Sequence, residues 1–314
     1  MALHPEMREM LDKVAAWRDV NGASKDWPDE RLKLEVIRDQ IWKRELLPVA
    51  SVEEFSIPGP AGGIPVRVYR PAVDGPVPTL LYLHGGAFAV GDLNSHESHS
   101  RRICNQLGIV VMAVDYRLAP ENPFPAGYDD CWAAYRWALD NIDRLGGLRD
   151  KVALGGDSAG GNLSLAVAIQ ARDEGLPVAA TMLAYGVFDL VHDEQWESMR
   201  SYGIGYGLSI NPDDEDPMPF YLGKGGKEST KNDFRVNPLL ADMAGVAPAV
   251  IVCGECDPLS DQSTALDAKM RAAGVRTIYR IEPGFIHSFM NMAGSPAAVT
   301  VTQNMIDDLG TLLQ

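Results

Sequence analysis

Gly156-Asp157-Ser158-Ala159-Gly160-Gly161 decides the reading of this chain. Its first five residues fit Gly-x-Ser-x-Gly. The apolar run Val152-Ala153-Leu154 stands directly ahead, and helically spaced apolar residues over 163–171 stand directly behind. Strand, serine on a tight turn, then helix is the arrangement that lifts a hydroxyl above the carboxyl end of a sheet. The glycines follow from that geometry. The serine must take a positive φ, and a β-carbon on either side of it would strike the neighbouring strand or helix. The motif acquires meaning only if a base, an orienting acid and oxyanion donors stand in matching places.

A serine hydroxyl is a weak nucleophile until a base takes its proton, and that base is usually histidine. The chain has six: His4, His84, His96, His99, His192 and His287. Where a serine sits on such an elbow, the acid and then the histidine follow it in the chain, which leaves His192 and His287. His287 lies in the loop Pro283-Gly284-Phe285-Ile286-His287-Ser288, just past a predicted strand over 277–281. It is the expected base. The acid belongs after the preceding strand, over 249–253, and Asp257 stands there, ahead of Pro258. Proline disfavours helix at the residue before it and holds Asp257 in an extended turn. Asp261 reads instead as the N-cap of a helix over 262–273, and Glu255 as a local or solvent-facing group.

The developing oxyanion needs backbone N–H donors. Ala159 follows the nucleophile and supplies one; Gly85 and Gly86, in the loop His84-Gly85-Gly86-Ala87 after a strand over 79–83, supply the others. His84 precedes the serine and reads as a loop-holding residue rather than a base.

Around these motifs, short apolar strands alternate with helices. Strands are expected over 52–57, 64–69, 79–83, 109–114, 151–154, 180–184, 249–253 and 277–281, with helices over 129–139, 163–171, 262–273 and 296–313. Continuous apolar strands alternating with helices imply an α/β fold, a mostly parallel sheet covered on both faces. Residues 5–47 read as two helices, with Met10, Val14 and Trp17 on one face of the first and Leu32, Leu34, Val36, Ile37 and Ile41 in the second. The stretch 189–235 interrupts the alternation. It carries Trp196, Met199, Tyr202, Tyr206, Met218, Phe220 and Tyr221 beside Asp213-Asp214-Glu215-Asp216. A connection that long in a compact domain is usually functional, and a lid is expected.

The 314 residues carry a formal charge of −15, which disfavours nucleic acid and anionic membranes as partners. The composition, 46% hydrophobic and 23% charged, is that of an ordinary globular chain. The first residues lack the basic and apolar regions of a signal peptide, no apolar run reaches bilayer length, and four cysteines do not make a disulfide scaffold. A cytoplasmic setting is expected. Two patterns are set aside. Cys253-Gly254-Glu255-Cys256 lacks a redox or zinc context. His96 and His99, at i and i+3, lack a third ligand and read as solvated or capping residues. No metal and no cofactor is expected.

The motifs together resemble the hormone-sensitive-lipase-like family of α/β-hydrolases, in particular bacterial family IV carboxylesterases. They are His84-Gly85-Gly86-Ala87-Phe88, Asp115-Tyr116-Arg117-Leu118-Ala119-Pro120-Glu121, Phe124-Pro125-Ala126, 156–161, Asp257-Pro258-Leu259-Ser260-Asp261 and His287. The resemblance implies an eight-stranded sheet with a helical cap, the core spanning 49–188 and 237–314 and the cap 1–48 and 189–236. It also implies cofactor-free hydrolysis of small carboxylic esters, with short and medium acyl chains favoured. Here Ala87 replaces the usual third glycine, and Ser288-Phe289 replaces the usual Gly-Phe after the histidine. An amidase, thioesterase or deacetylase would use the same triad. A non-catalytic receptor, as in plant gibberellin receptors, would use the same fold but lose the histidine that this chain keeps. A homodimer is left open.

Overall fold

The computed structural model describes residues 2–191, 195–206 and 218–314. His192 and the run Asp213-Asp214-Glu215-Asp216 lie outside the described residues. Eight strands form one sheet: β1 (Ser51–Gly59), β2 (Gly62–Arg70), β3 (Val77–Leu83), β4 (Val110–Val114), β5 (Gly147–Asp157), β6 (Thr181–Ala184), β7 (Ala249–Gly254) and β8 (Thr277–Glu282). Their order is β1-β2-β4-β3-β5-β6-β7-β8. The β1–β2 and β2–β4 pairs are antiparallel and the rest parallel. All five residues of β4, four of β6 and six of β7 are buried, as continuous apolar runs in a doubly covered sheet should be.

The helices are α1 (Pro5–Asn21), α2 (Trp27–Ile37), α3 (Glu97–Leu107), α4 (Ala126–Asp140), α5 (Ile142–Leu145), α6 (Ala159–Asp173), α7 (Glu197–Tyr202), α8 (Pro219–Leu222), α9 (Gly226–Thr230), α10 (Ser260–Ala272) and α11 (Pro296–Leu313). Side chains alternate across the sheet. Leu81, Leu83 and Leu154 pack with Tyr135 of α4 and Leu163 of α6. Leu80, Tyr82 and Ala153 pack on the opposite side with Ile103 of α3 and Met305 of α11. Because β3 and β5 lie side by side at the centre, the serine turn that ends β5 opens beside the loop that ends β3.

Residues near the amino terminus join the second of these layers through Met7, Met10, Ile37 and Ile41, which are buried with Leu80 and Tyr82. Val14 and Trp17 pack against it, as their spacing predicts. Leu32 departs from expectation at 63% exposed, and within α2 only Ile37 is buried. A single π-turn, Arg38–Trp42, continues α2 and turns Ile41 inward. No helix among the described residues is long and apolar enough to cross a membrane.

Candidate active site

β5 ends at Asp157 and α6 begins at Ala159, with Ser158 between them at φ 53° and ψ −118°. A left-handed φ on a non-glycine residue is costly and needs a surrounding that enforces it. The enforcing contacts are backbone: a β-carbon on Gly156 or on Gly160 would collide with the carbonyl of Leu83. Only glycine lets β3 and α6 close around the turn.

Asp257 and His287 reach the serine from the loops after β7 and β8. His287 Nε2 lies 2.9 Å from Ser158 Oγ, and Nδ1 lies 2.8 Å from Asp257 Oδ2. The other Asp257 oxygen accepts the Leu259 amide at 2.8 Å, which fixes the carboxylate. Serine, histidine and aspartate are 8%, 2% and 0% exposed. The ring of Tyr185 packs edge-on against the imidazole at 4.9 Å. Such a row can move a proton from hydroxyl to ring while the carboxylate holds the tautomer.

Asp261 is not the N-cap. Leu259 occupies that position and Asp261 sits in the first turn of α10. Its carboxylate accepts the Ser198 amide at 2.8 Å instead, a partner from the interrupting segment that no local pattern signals. Glu255 bonds locally, accepting the Gly284 amide at 3.0 Å.

The expected oxyanion donors divide. Gly85 N–H donates to Asp157 Oδ1 at 3.0 Å and is thereby committed. The amides of Gly86, Ala87 and Ala159 donate to no protein group among the described residues, and Gly86 and Ala87 line the cavity above Ser158. The expectation for Gly85 thus meets an amide that is already bonded, whereas Ala87, which sequence reasoning did not single out, has an open amide beside the cavity. The signal was the pattern's preference for glycine at the third position, since Ala87 sits at φ 50° where glycine is unstrained.

His84 behaves as read, stacked 4.3 Å from Tyr116 and donating from Nδ1 to the Gly85 carbonyl at 2.8 Å. Burial, then the neighbouring His96, pushes it down to about 3, so the ring is neutral. His96 stands at the N-cap position of α3, without a side-chain cap bond, but neither His96 nor His99 is solvated: both are 3% exposed, behind the serine turn. With Asp157 they bring ligand-type atoms within 4.8 Å of one another. His99, however, spends both nitrogens on Tyr82 and Met290, so the trio does not offer three free ligands. Burial opposes ionisation of Asp157, yet His96, His99 and the Tyr82 hydroxyl together hold it well below the usual carboxylate range.

The cavity over Ser158 measures about 280 Å³. Its walls include Arg18, Trp27, Glu30, Leu34, Arg38 and Trp42, all from the amino-terminal segment, along with Ser288 and Asn291. No described aromatic of the expected lid lines this cavity. Tyr221 stacks on Phe88 at 3.8 Å, Phe220 lies 4.6 Å from Trp27, and Tyr202 pairs with Tyr206. From α2, Arg31 donates to the carbonyls of Ala89 and Ala119 at 2.8 and 3.2 Å and to Glu121, tying the amino-terminal segment to the oxyanion loop.

Comparison with known proteins agrees with this geometry. The family described as alpha/beta hydrolase fold matches residues 80–291. The carboxylic ester hydrolase LipN of Mycobacterium tuberculosis is 40% identical over 259 residues, covering 79% of this chain and 68% of that protein. The ethyl acetate hydrolase of Pseudomonas putida is 34% identical over 93% of each chain. Among solved structures, a Pyrobaculum calidifontis esterase superposes with a TM-score of 0.90 at 31% identity, covering 99% of both chains. On these matches the chain belongs to the alpha/beta hydrolase fold family, in its hormone-sensitive-lipase-like branch.

Proposed function

We propose that the chain is a serine carboxylesterase acting on short- and medium-chain carboxylic esters. The observation that carries the reading is the unbroken row Ser158 Oγ, His287 and Asp257, at 2.9 and 2.8 Å. Ser158 attacks the ester carbonyl while His287 Nε2 takes its proton and returns it to the leaving alkoxide. Asp257 holds the tautomer and stabilises the imidazolium. The amides of Gly86, Ala87 and Ala159 receive the oxyanion, each such donor being worth about 10²–10³ in rate. Water then repeats the sequence on the acyl-enzyme. The reading needs no metal or cofactor, because every proton and charge has a protein group assigned to it.

The names of the relatives support the substrate class, and the small cavity walled by Trp27, Leu34 and Trp42 supports short acyl chains. Residues 1–48 and 189–236 act as the cap over a core of 49–188 and 237–314. All four cysteines are unpaired and buried, which suits a cytoplasmic setting that cell fractionation can check. The deciding experiment is hydrolysis of p-nitrophenyl butyrate by the parent protein and by Ser158→Ala, with mass spectrometry after a fluorophosphonate. Activity that survives the substitution, or a label that does not map to Ser158, removes the assignment. Rates that fail to fall from butyrate to palmitate remove the chain-length part.

A further inference from the structure

A buried row of contacts runs behind the serine turn, and the reaction steps above make no use of it. The Gly85 amide donates to Asp157 Oδ1 at 3.0 Å. The same oxygen accepts the Tyr82 hydroxyl at 2.7 Å. Tyr82 Oη lies 3.0 Å from His99 Nδ1, and His99 Nε2 lies 3.1 Å from the carbonyl oxygen of Met290. Tyr82, Asp157 and His99 are 1%, 2% and 3% exposed. Met290 belongs to the turn Phe289–Asn291, which directly follows His287 and Ser288. The row therefore joins the loop that carries the histidine to the loop that carries the oxyanion donors, passing through the residue beside Ser158.

With Asp157 ionised, the row needs more protons than its neutral groups supply. The contacts Tyr82–Asp157, His99–Tyr82 and His99–Met290 each need one proton between their heavy atoms. A carbonyl oxygen and an ionised carboxylate have none to give. The phenol supplies one and a neutral imidazole one more, so a third is required. A neutral His99 would set a nitrogen lone pair against an oxygen lone pair at one of its two contacts.

We propose that His99 is a positioning residue, carrying a proton on both ring nitrogens, that ties the His287 turn to the oxyanion loop through Tyr82 and Asp157. The inference rests on the esterase reading of the site. It also explains how an ionised Asp157 can stand next to an oxyanion hole: the row as a whole is neutral, so the carboxylate does not oppose the negative charge developing on the substrate.

The groups that face His99 pull both ways. Burial, then His96 at the N-cap of α3 and Arg38 from the amino-terminal segment, push the ring down, to about 3, against the pull of Asp157 and the Met290 carbonyl. The ring of Tyr185 packs on Phe289, and its hydroxyl meets the backbone of Met290. The contacts prevail, because both nitrogens point at oxygens in a dry interior where an unmade bond is not replaced by water.

Two measurements test this. In ¹⁵N-histidine NMR of the intact protein near neutral pH, one ring should show both nitrogens protonated, and its signals should vanish in His99→Phe. A singly protonated His99 overturns the proposal. In steady-state hydrolysis of p-nitrophenyl butyrate, His99→Phe and Tyr82→Phe should each lower kcat about tenfold with KM changed by less than about twofold, and the double variant should be no worse than the poorer single one. Unchanged kcat in both, or losses that multiply, overturns it. Tyr82→Phe removes one oxygen from a buried ring, so it carries the kinetic arm should His99→Phe fail to fold. A parent protein inactive on esters would sink the esterase reading instead, and the NMR arm would still decide the proton.

Discussion

Asp157 Oδ1 accepts the amide of Gly85 at 3.0 Å, so the residue before the nucleophile holds the first glycine of the oxyanion loop. That bond spends the Gly85 donor and sets where the next two amides fall. Ser158 and the amides proposed to receive the oxyanion are thus positioned by one carboxylate, at the seam where β3 and β5 run parallel. Catalysis depends on such donors being fixed before charge develops, since a loop that must reorganise returns the stabilisation it offers.

Gly85→Ala tests this bond. The added methyl would collide with Asp157 Oδ2 and lie 2.8 Å from the Asp157 carbonyl, so the loop must retreat from the elbow. We expect kcat on p-nitrophenyl butyrate to fall on the order of 10²-fold with little change in KM, the size of losing an oxyanion donor. Comparable kcat in a folded variant would show that the anchor does not matter.

Gly160→Ala addresses the fold rather than the chemistry. Its β-carbon would collide with the backbone carbonyl of Leu83, and a strand cannot swing aside as a side chain can. Overpacking of this kind typically costs about 1–3 kcal/mol, and more when backbone must move. The expected result is a melting temperature lowered by several degrees or an insoluble protein. A parent-like melting curve would mean that α6 is not pressed against β3 as described.

The elbow was legible in sequence because its demands are local: a buried strand, a positive φ and flanking glycines all leave marks within six residues. The order of acid and histidine was legible for a similar reason, since each lies just past its own apolar strand. What failed was long-range. Nothing near Asp261 signals that Ser198, 63 residues earlier, will claim its carboxylate. His96 and His99 look like surface residues because their neighbours are polar, and only the packing of α3 against β4 and α11 shows them buried. Which amides of the His84–Ala87 loop stay open was not legible, because a motif names residues but not the directions of their amides.

Asp115 should give stability a distinct pH signature. Burial first, then the nearby Asp92 and Glu54, raises its carboxyl to about 6, with Arg67 pulling the other way. The unfolded value is about 3.9. Between these values the native state holds a proton that the unfolded state has lost, so this residue's contribution weakens as pH rises through the window and is lowest above about pH 6. Asp115→Asn should therefore raise the melting temperature at pH 7.5, by a few degrees once solvent screening is allowed for. The gain should shrink toward zero by about pH 4. An equal gain at both pH values, or a loss at pH 7.5, counts against the assignment.

The last prediction concerns which segment sets the acyl preference. The aromatics over 189–235 pointed to that stretch, yet Trp27 and Trp42 are the tryptophans that line the cavity, and Trp196 packs into the layer around α4 and α6. An indole in a cavity of about 280 Å³ occupies space that a longer acyl chain needs. Removing it should relieve exclusion, and each added methylene that can then be buried is worth roughly 1 kcal/mol or more. Trp42→Ala should raise kcat/KM for p-nitrophenyl octanoate relative to butyrate by about tenfold, most of it through KM. Trp196→Ala, whatever it does to stability, should leave that ratio alone. If Trp196→Ala shifts the ratio and Trp42→Ala does not, the inserted segment and not the amino-terminal helices shapes the acyl pocket.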